Sequence, residues 1–129
     1  MHDDFLRRFV VLIHDHPVLH WDLMLEKEAL LRTWRLARQP DAAGPIHAEE
    51  LPEHRPAYLD YQGPVSGNRG IVRRFDRGEF TVVEESGTRL VVDLAGNVLR
   101  GRATLERGRH PAHWIFSFEF CPGALQRGP

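Results

Sequence analysis

The sequence predicts an all-β fold: a small closed or nearly closed barrel of about eight strands, with a long functional loop and little helix. Three observations predict it. Apolar residues recur with period two along most of the chain, the spacing of strands that bury one face. Gly, Pro, Asn and Asp interrupt that pattern at short intervals, as turns require. So many short strands within 129 residues leave the fewest bare edges when their sheet closes on itself.

Taken in order, RFVVLIH (8–14) is the first strand, LHWDLMLEK (19–27) the second and ALLRTWRL (29–36) the third, the last two joined by a short turn. Residues 37–56, ARQPDAAGPIHAEELPEHRP, are polar and rich in proline and alanine, and so form the long loop, with a short helical turn at HAEEL. Long loops on a rigid scaffold often carry function. Six further strands follow: AYLDYQG (57–63), GIVRRFDRG (70–78), EFTVVEES (79–86), TRLVVDL (88–94), VLRGRATLER (98–107) and HWIFSFEF (113–120), with SGT and AGN among the turns. No repeat, linker or low-complexity tract divides the chain, so residues 1–129 form one domain, with about 123–129 as a frayed tail.

Composition narrows the chemistry. At 42% hydrophobic the chain can bury a core without disulfides or a structural metal. A net charge of −1 argues against a uniformly basic surface that coats nucleic acid. The sum hides a split: residues 1–65 carry 7 Lys and Arg against 11 Asp and Glu, and residues 66–129 carry 10 against 7. The single cysteine, Cys121, has no partner within the chain, which excludes a disulfide framework and a zinc–thiolate site. Any metal must be held by nitrogen and oxygen. With no run of about 18 apolar residues and an acidic rather than basic start, the protein is expected to be soluble, cytoplasmic and free of the membrane.

The stretch HDHPVLHWDLMLE (14–26) carries the strongest chemical signal. In a strand, Leu19, Trp21, Leu23 and Leu25 face the core while His20, Asp22, Met24 and Glu26 face the other side. His20 and Asp22 then lie about 7 Å apart along one face, close enough to share an ion. His14 can fold back across the Asp15–Pro17 turn as a third ligand; His16 is the alternative, because the two share a face if the segment is extended. Two nitrogens and one oxygen, with positions left open, suit Mn²⁺, Fe²⁺ or Zn²⁺ in a catalytic site. A lone His-x-Asp is more often a surface hydrogen bond, and the neighbouring histidines are what favour a metal. A cupin would use His14 and His16, but the glutamate and the later glycine-rich histidine motif of that family are missing. A two-oxoglutarate oxygenase would use His20 and Asp22 with His110 or His113, but the chain is short for that barrel and no basic co-substrate anchor follows.

A third metal reading rests on resemblance. FVVLIHDHPVLHWDLMLE resembles the FVxxxHDAxxLHYDxRLE signature of the 3′-phosphoesterase domain of bacterial DNA ligase D, which also occurs as stand-alone proteins. Further segments resemble the same family in the same order. Trp34-Arg35-Leu36-Ala37-Arg38 echoes W-A-V-P-K, EHRPAYLDYQG (53–63) echoes D-H-P-L-D-Y-x-x-F-E-G, and GIVRRFDRGEF (70–80) echoes G-x-V-x-x-W-D-x-G. GRATLER (101–107) and Trp114-Ile115-Phe116-Ser117-Phe118 resemble its closing segments. The collinear series spans nearly the whole chain, which is more specific than any one motif.

The resemblance implies a β-barrel enzyme that uses Mn²⁺, or another divalent transition metal, to trim damaged or ribonucleotide-bearing 3′ ends to a 3′-hydroxyl. Its partners would be nucleic-acid 3′ ends, on primer-template DNA or RNA–DNA, and a separate ligase or polymerase. His14, His20 and Asp22 match the family's metal ligands, His54 its catalytic, phosphate-contacting histidine and Tyr58 a tyrosine of the same pocket. Arg38 stands where the family has a catalytic-pocket lysine. Two positions depart: Met24 replaces an arginine, and Ile46 lies near where a second arginine aligns. Each lost charge-assisted bond is worth about 1.5–3 kcal/mol. Arg73, Arg74 and Arg102 are the candidates to replace them. The retained histidines and aspartate favour the enzyme; Met24 favours a phosphoesterase with another substrate, or a non-catalytic barrel that binds nucleic-acid ends or a partner.

Overall fold

Alternation along the strands decides the architecture. A computed structural model describes residues 7–121, so the tail expected at 123–129 lies outside the described residues. The strands are β1 (Arg7–His14), β2 (His20–Lys27), β3 (Leu30–Leu36), β4 (Ile46–His54), β5 (Gly63–Pro64), β6 (Ile71–Glu85), β7 (Arg89–Gly96), β8 (Arg100–Arg107) and β9 (His113–Phe120). Their antiparallel order is β1-β2-β3-β4-β9-β8-β7-β6, and β6 pairs back onto β1, which closes an eight-stranded barrel; the two-residue β5 is added to β6. Closure removes the open edges that such short strands would otherwise expose.

Every long strand sends alternate residues inward. Phe9, Val11, Leu23, Leu25, Trp34 and Leu36 meet Val92, Leu94, Leu105, Trp114 and Phe116 in one buried interior cluster, so the barrel is a packed core and not a pore. Trp34 and Trp114 stack edge to face at 5.7 Å, and the Arg32 guanidinium sits 4.7 Å from the Trp34 ring while its Nε donates to Glu50 at 2.9 Å. The outer wall is also covered on one side. Val10, Leu12, Met24, Leu31 and Val72 form a second buried cluster under Leu59 of the 3₁₀ turn Pro56–Leu59, with Tyr58 and Val65 packed against it. Both faces of β1 are therefore apolar over its middle, which explains the unbroken FVVLI.

Three expectations are corrected. Residues 46–54 are not loop, and HAEEL makes no helical turn: Ile46–His54 is β4, paired to β3 through Leu36↔Ala48 and to β9 through Ala48↔Trp114. Only Ile46 and Ala48 point deep into the interior, so the strand has little apolar signature; two neighbouring ladders override its local preference. The loop shrinks to 37–45. AYLDYQG is not a strand but the 3₁₀ turn followed by the short β5. The segments GIVRRFDRG and EFTVVEES are one 15-residue strand, β6, which pairs β1 with its first part and β7 with its last. Gly78 is no turn: a Cβ there would lie 2.2 Å from the Ala95 carbonyl oxygen, so its bareness lets β7 cross closely. Among the described residues no helix is long and apolar enough to cross a membrane.

Candidate metal centre

The site lies on the outer wall, where the end of β1 lies beside the start of β2. His14 and His20 are direct cross-strand partners, and Asp22 pairs with Leu12. Because Leu23 and Leu25 fill the interior, His20, Asp22 and Met24 face outward. The covering segment 55–70 then buries that face on one side. His14, His20 and Asp22 each offer a ligand atom, all within 4.8 Å of one another.

Backbone carbonyls set the direction of both imidazoles. His20 Nδ1 donates to the Val18 carbonyl at 2.8 Å, which leaves Nε2 as a lone pair 3.2 Å from Asp22 Oδ1. His14 Nε2 donates to the Arg69 carbonyl at 2.8 Å, which leaves Nδ1 as a lone pair 3.5 Å from Asp22 Oδ2. These tautomers are assigned from the hydrogen bonds. Two lone pairs and a carboxylate thus converge, and Asp22 Oδ1 is buried without a hydrogen-bond partner among the described residues. Acceptors facing acceptors are compensated by a cation, and carbonyls that tie down the far nitrogens of imidazoles are the usual second layer of a metal site. The residues therefore fit a divalent ion held by two nitrogens and an oxygen.

His16 stands apart from this convergence. Its ring centre is 6.5 Å from that of His14, and it lines the cleft with His14 and Asp22. Asp15, between the two histidines, is structural: its Oδ1 accepts from Ile71 N at 2.8 Å and so ties the β1–β2 turn to the start of β6. His113 is far along the barrel wall, 3.1 Å from His47 through Nε2 and Nδ1, and is no third ligand. His110 is likewise absent from the cluster.

A cleft of about 260 Å³ opens in front of this cluster, lined by His14, Asp22, Met24, Arg35, His54 and Tyr58, with Arg69, His16 and an apolar rim. His54 is the last residue of β4 and not part of a loop. Its Nδ1 donates to the Pro52 carbonyl at 2.9 Å, so Nε2 is its exchangeable atom, and Tyr58 braces the ring edge to face at 5.5 Å. Arg8 Nη2 donates to Asp60 Oδ1 at 2.7 Å, fastening the end of the 3₁₀ turn to β1; this bond holds the Asp60 carboxyl below its ordinary range.

The expected arginines fall elsewhere. Arg38 does not line the cleft; its Nη2 donates to the Pro45 carbonyl at 2.7 Å. Ile46 points into the barrel interior. Arg102 grips both oxygens of Asp93 at 2.8 and 3.2 Å, and that pairing raises its pKa. Arg73 and Arg74 are not among the lining residues. The cationic residues that do line the cleft besides the histidines, Arg35 and Arg69, carried no signal in the sequence beyond an arginine's presence. Nor did the carbonyls of Val18 and Arg69, which belong to the backbone and have no residue signature.

Comparison with known proteins agrees with this geometry. The DNA ligase D 3′-phosphoesterase domain model matches residues 13–107, which include His14, His20, Asp22 and His54. Over 85 residues the chain is 31% identical to the multifunctional non-homologous end joining protein LigD of Pseudomonas aeruginosa. That match covers 62% of this chain and 10% of the other protein, so the chain spans a small part of its relative's length. With a closed barrel, a His-His-Asp cluster and a family match across most of its length, the chain belongs to the DNA ligase D 3′-phosphoesterase domain family.

Proposed function

We propose that the chain is a metal-dependent phosphoesterase that acts on nucleic-acid 3′ ends, removing a 3′-phosphate or a 3′-terminal ribonucleotide to leave a 3′-hydroxyl. The observation that carries this reading is the convergence of two imidazole lone pairs and a buried, unpartnered carboxylate oxygen at the head of a cleft that also holds His54. A bound divalent ion, Mn²⁺ in this reading, supplies Lewis-acid chemistry: it draws charge from a phosphoryl oxygen and acidifies water. His14, His20 and Asp22 hold that ion and fix its position on the outer wall. In hydrolysis the water oxygen bonds to phosphorus, the phosphorus–O3′ bond breaks and the departing oxygen takes a proton. The proton comes from His54 Nε2 when the ring carries a proton on both nitrogens, Nδ1–H staying on the Pro52 carbonyl while Tyr58 braces the ring. Arg38, outside the cleft, contributes to attraction of the polyanion rather than to the reacting phosphate. In the cell we place the protein in the cytoplasm, with a separate ligase or polymerase using the 3′-hydroxyl it leaves.

The test is conversion of a primer-template bearing a 3′-phosphate or one terminal ribonucleotide, with Mn²⁺ and with Asp22→Ala as control. Production of a 3′-hydroxyl by wild type and not by the variant supports the reading; equal conversion by both sinks it. A second reading, a barrel that binds ends or a partner without chemistry or acts on another phosphoester, draws on Met24. That side chain is 1% exposed and packs into the apolar outer cluster, so it offers no anion contact. Metal bound without turnover on either end would favour this second reading.

A further inference from the structure

Met24 removes a positive charge from the wall beside Asp22, and the pairing of β2 with β3 shows where another is available. Arg35 is the direct cross-strand partner of Asp22, as Thr33 is of Met24. Opposed residues on one face of a sheet have Cβ atoms about 5 Å apart. An arginine at 35 therefore reaches the space in front of Asp22 as readily as one at 24. Arg35 lines the cleft with Asp22 and His54. Its Nε is buried without a hydrogen-bond partner among the described residues. The guanidinium makes an exposed ion pair with Glu49, Nη1 to Oε1 at 3.7 Å, which is too long for a hydrogen bond and leaves Nε unused. A guanidinium donor buried at a cleft wall without an acceptor carries a desolvation cost that an oxyanion in the cleft would offset.

The other arginines nearby are occupied or misplaced. Arg69 lines the cleft, but its Nε and Nη2 donate to the carbonyl and hydroxyl of Ser66 at 2.6 and 3.0 Å. Arg74 also has a buried, unpartnered Nε, but it lies outside the cleft lining and within the field of Asp60. The motifs this chain resembles have the reverse arrangement, an arginine at the position of Met24 and an alanine at that of Arg35.

We propose that Arg35 is the oxyanion-binding residue of the cleft: the guanidinium has moved from β2 to the facing position on β3, and Met24 fills the vacated volume with apolar packing. That the oxyanion belongs to a nucleic-acid phosphate rests on the phosphoesterase reading; the binding of an oxyanion does not.

The test is calorimetric titration of inorganic phosphate into the full chain with Mn²⁺ present, alongside Mn²⁺ affinity from the spin-resonance signal of the free ion. Wild type should bind phosphate, Arg35→Ala should weaken it at least about tenfold, Arg35→Lys should recover part of the loss, and Arg74→Ala should behave as wild type. Mn²⁺ affinity should stay constant across the series, which a loss of structure would not allow. The double variant Met24→Arg/Arg35→Ala should regain phosphate binding. Should Arg35→Ala unfold, Arg35→Gln gives the same comparison with the side chain's bulk retained. Wild-type affinity in Arg35→Ala, or no phosphate binding by wild type, overturns the proposal. Phosphate binding that depends on Arg35, with no turnover on 3′-phosphorylated DNA, would leave it standing and count against the phosphoesterase reading alone.

Discussion

Asp22 and Asp76 are almost equally buried, at 3% and 2% exposure, yet their surroundings are opposites. Asp76, on β6, accepts four backbone N–H groups: Arg77, Asn97 and Val98 on Oδ1 at 2.8, 2.8 and 3.1 Å, and Leu99 on Oδ2 at 2.7 Å. It closes the turn between β7 and β8, and Gly96 lacks a Cβ because one would lie 2.3 Å from Asp76 Oδ2. Asp22 meets two imidazole lone pairs and has an oxygen with no donor at all among the described residues. Burial alone separates nothing here. The donors do: a buried carboxylate whose oxygens are filled by the backbone holds the fold, and one faced by other acceptors suits a cation.

That contrast is broken most severely at Asp76. Asp76→Ala strands the buried N–H of Leu99 and three part-buried ones that water can reach, and the loss should be on the order of 3 kcal/mol. Urea unfolding checks it; an unchanged midpoint would show that the turn finds other acceptors. Asp22→Asn should behave in the opposite sense. Mn²⁺ affinity should fall by more than about a hundredfold, while the metal-free protein keeps or raises its melting temperature, because an amide donor now faces the lone pairs. Melting the metal-free variant well below wild type would make Asp22 structural, like Asp76.

His54→Ala sharpens the same boundary from the other side of the cleft. It should retain Mn²⁺ and lose turnover by about 10²–10⁴-fold; activity equal to wild type would remove His54 from the chemistry. Gly70→Ala is a smaller effect. Gly70 has a φ of +80°, in the left-handed region that alanine rarely adopts, and a Cβ there would sit 2.2 Å from Asp15 Oδ1. Roughly 1–3 kcal/mol of stability should be lost, with a weaker metal site because Arg69, the neighbour that orients His14, is displaced; metal affinity and melting temperature together check this. The mildest change is acid. The folded pKa of Asp60 lies below its unfolded value, so the stability from its bond to Arg8 is complete above about pH 4 and lost as pH falls through the folded value. Asp60→Asn should flatten that part of the pH–stability curve, lowering stability slightly at neutral pH and leaving it unchanged in acid.

Much of this was legible from residue order. Period-two alternation marks β2, β3, β7, β8 and β9, and an unbroken apolar run marks β1, because each strand must present apolar residues to one interior, and that demand is local. The same periodicity puts His20 and Asp22 on one face. Tertiary structure decided the rest, and for a physical reason in each case. β4 is a strand because β3 and β9 flank it, although its own residues are mostly polar. Gly78 reads as a break and is a crossing, because its neighbour in space is Ala95. Arg35 enters the cleft and Arg38 leaves it through pairing with Asp22 and capture by the Pro45 carbonyl. The imidazoles of His14 and His20 are aimed by carbonyls of Arg69 and Val18, one of them 55 residues distant. Periodicity records which face a residue takes; only closure of the barrel determines which distant backbone atom waits there.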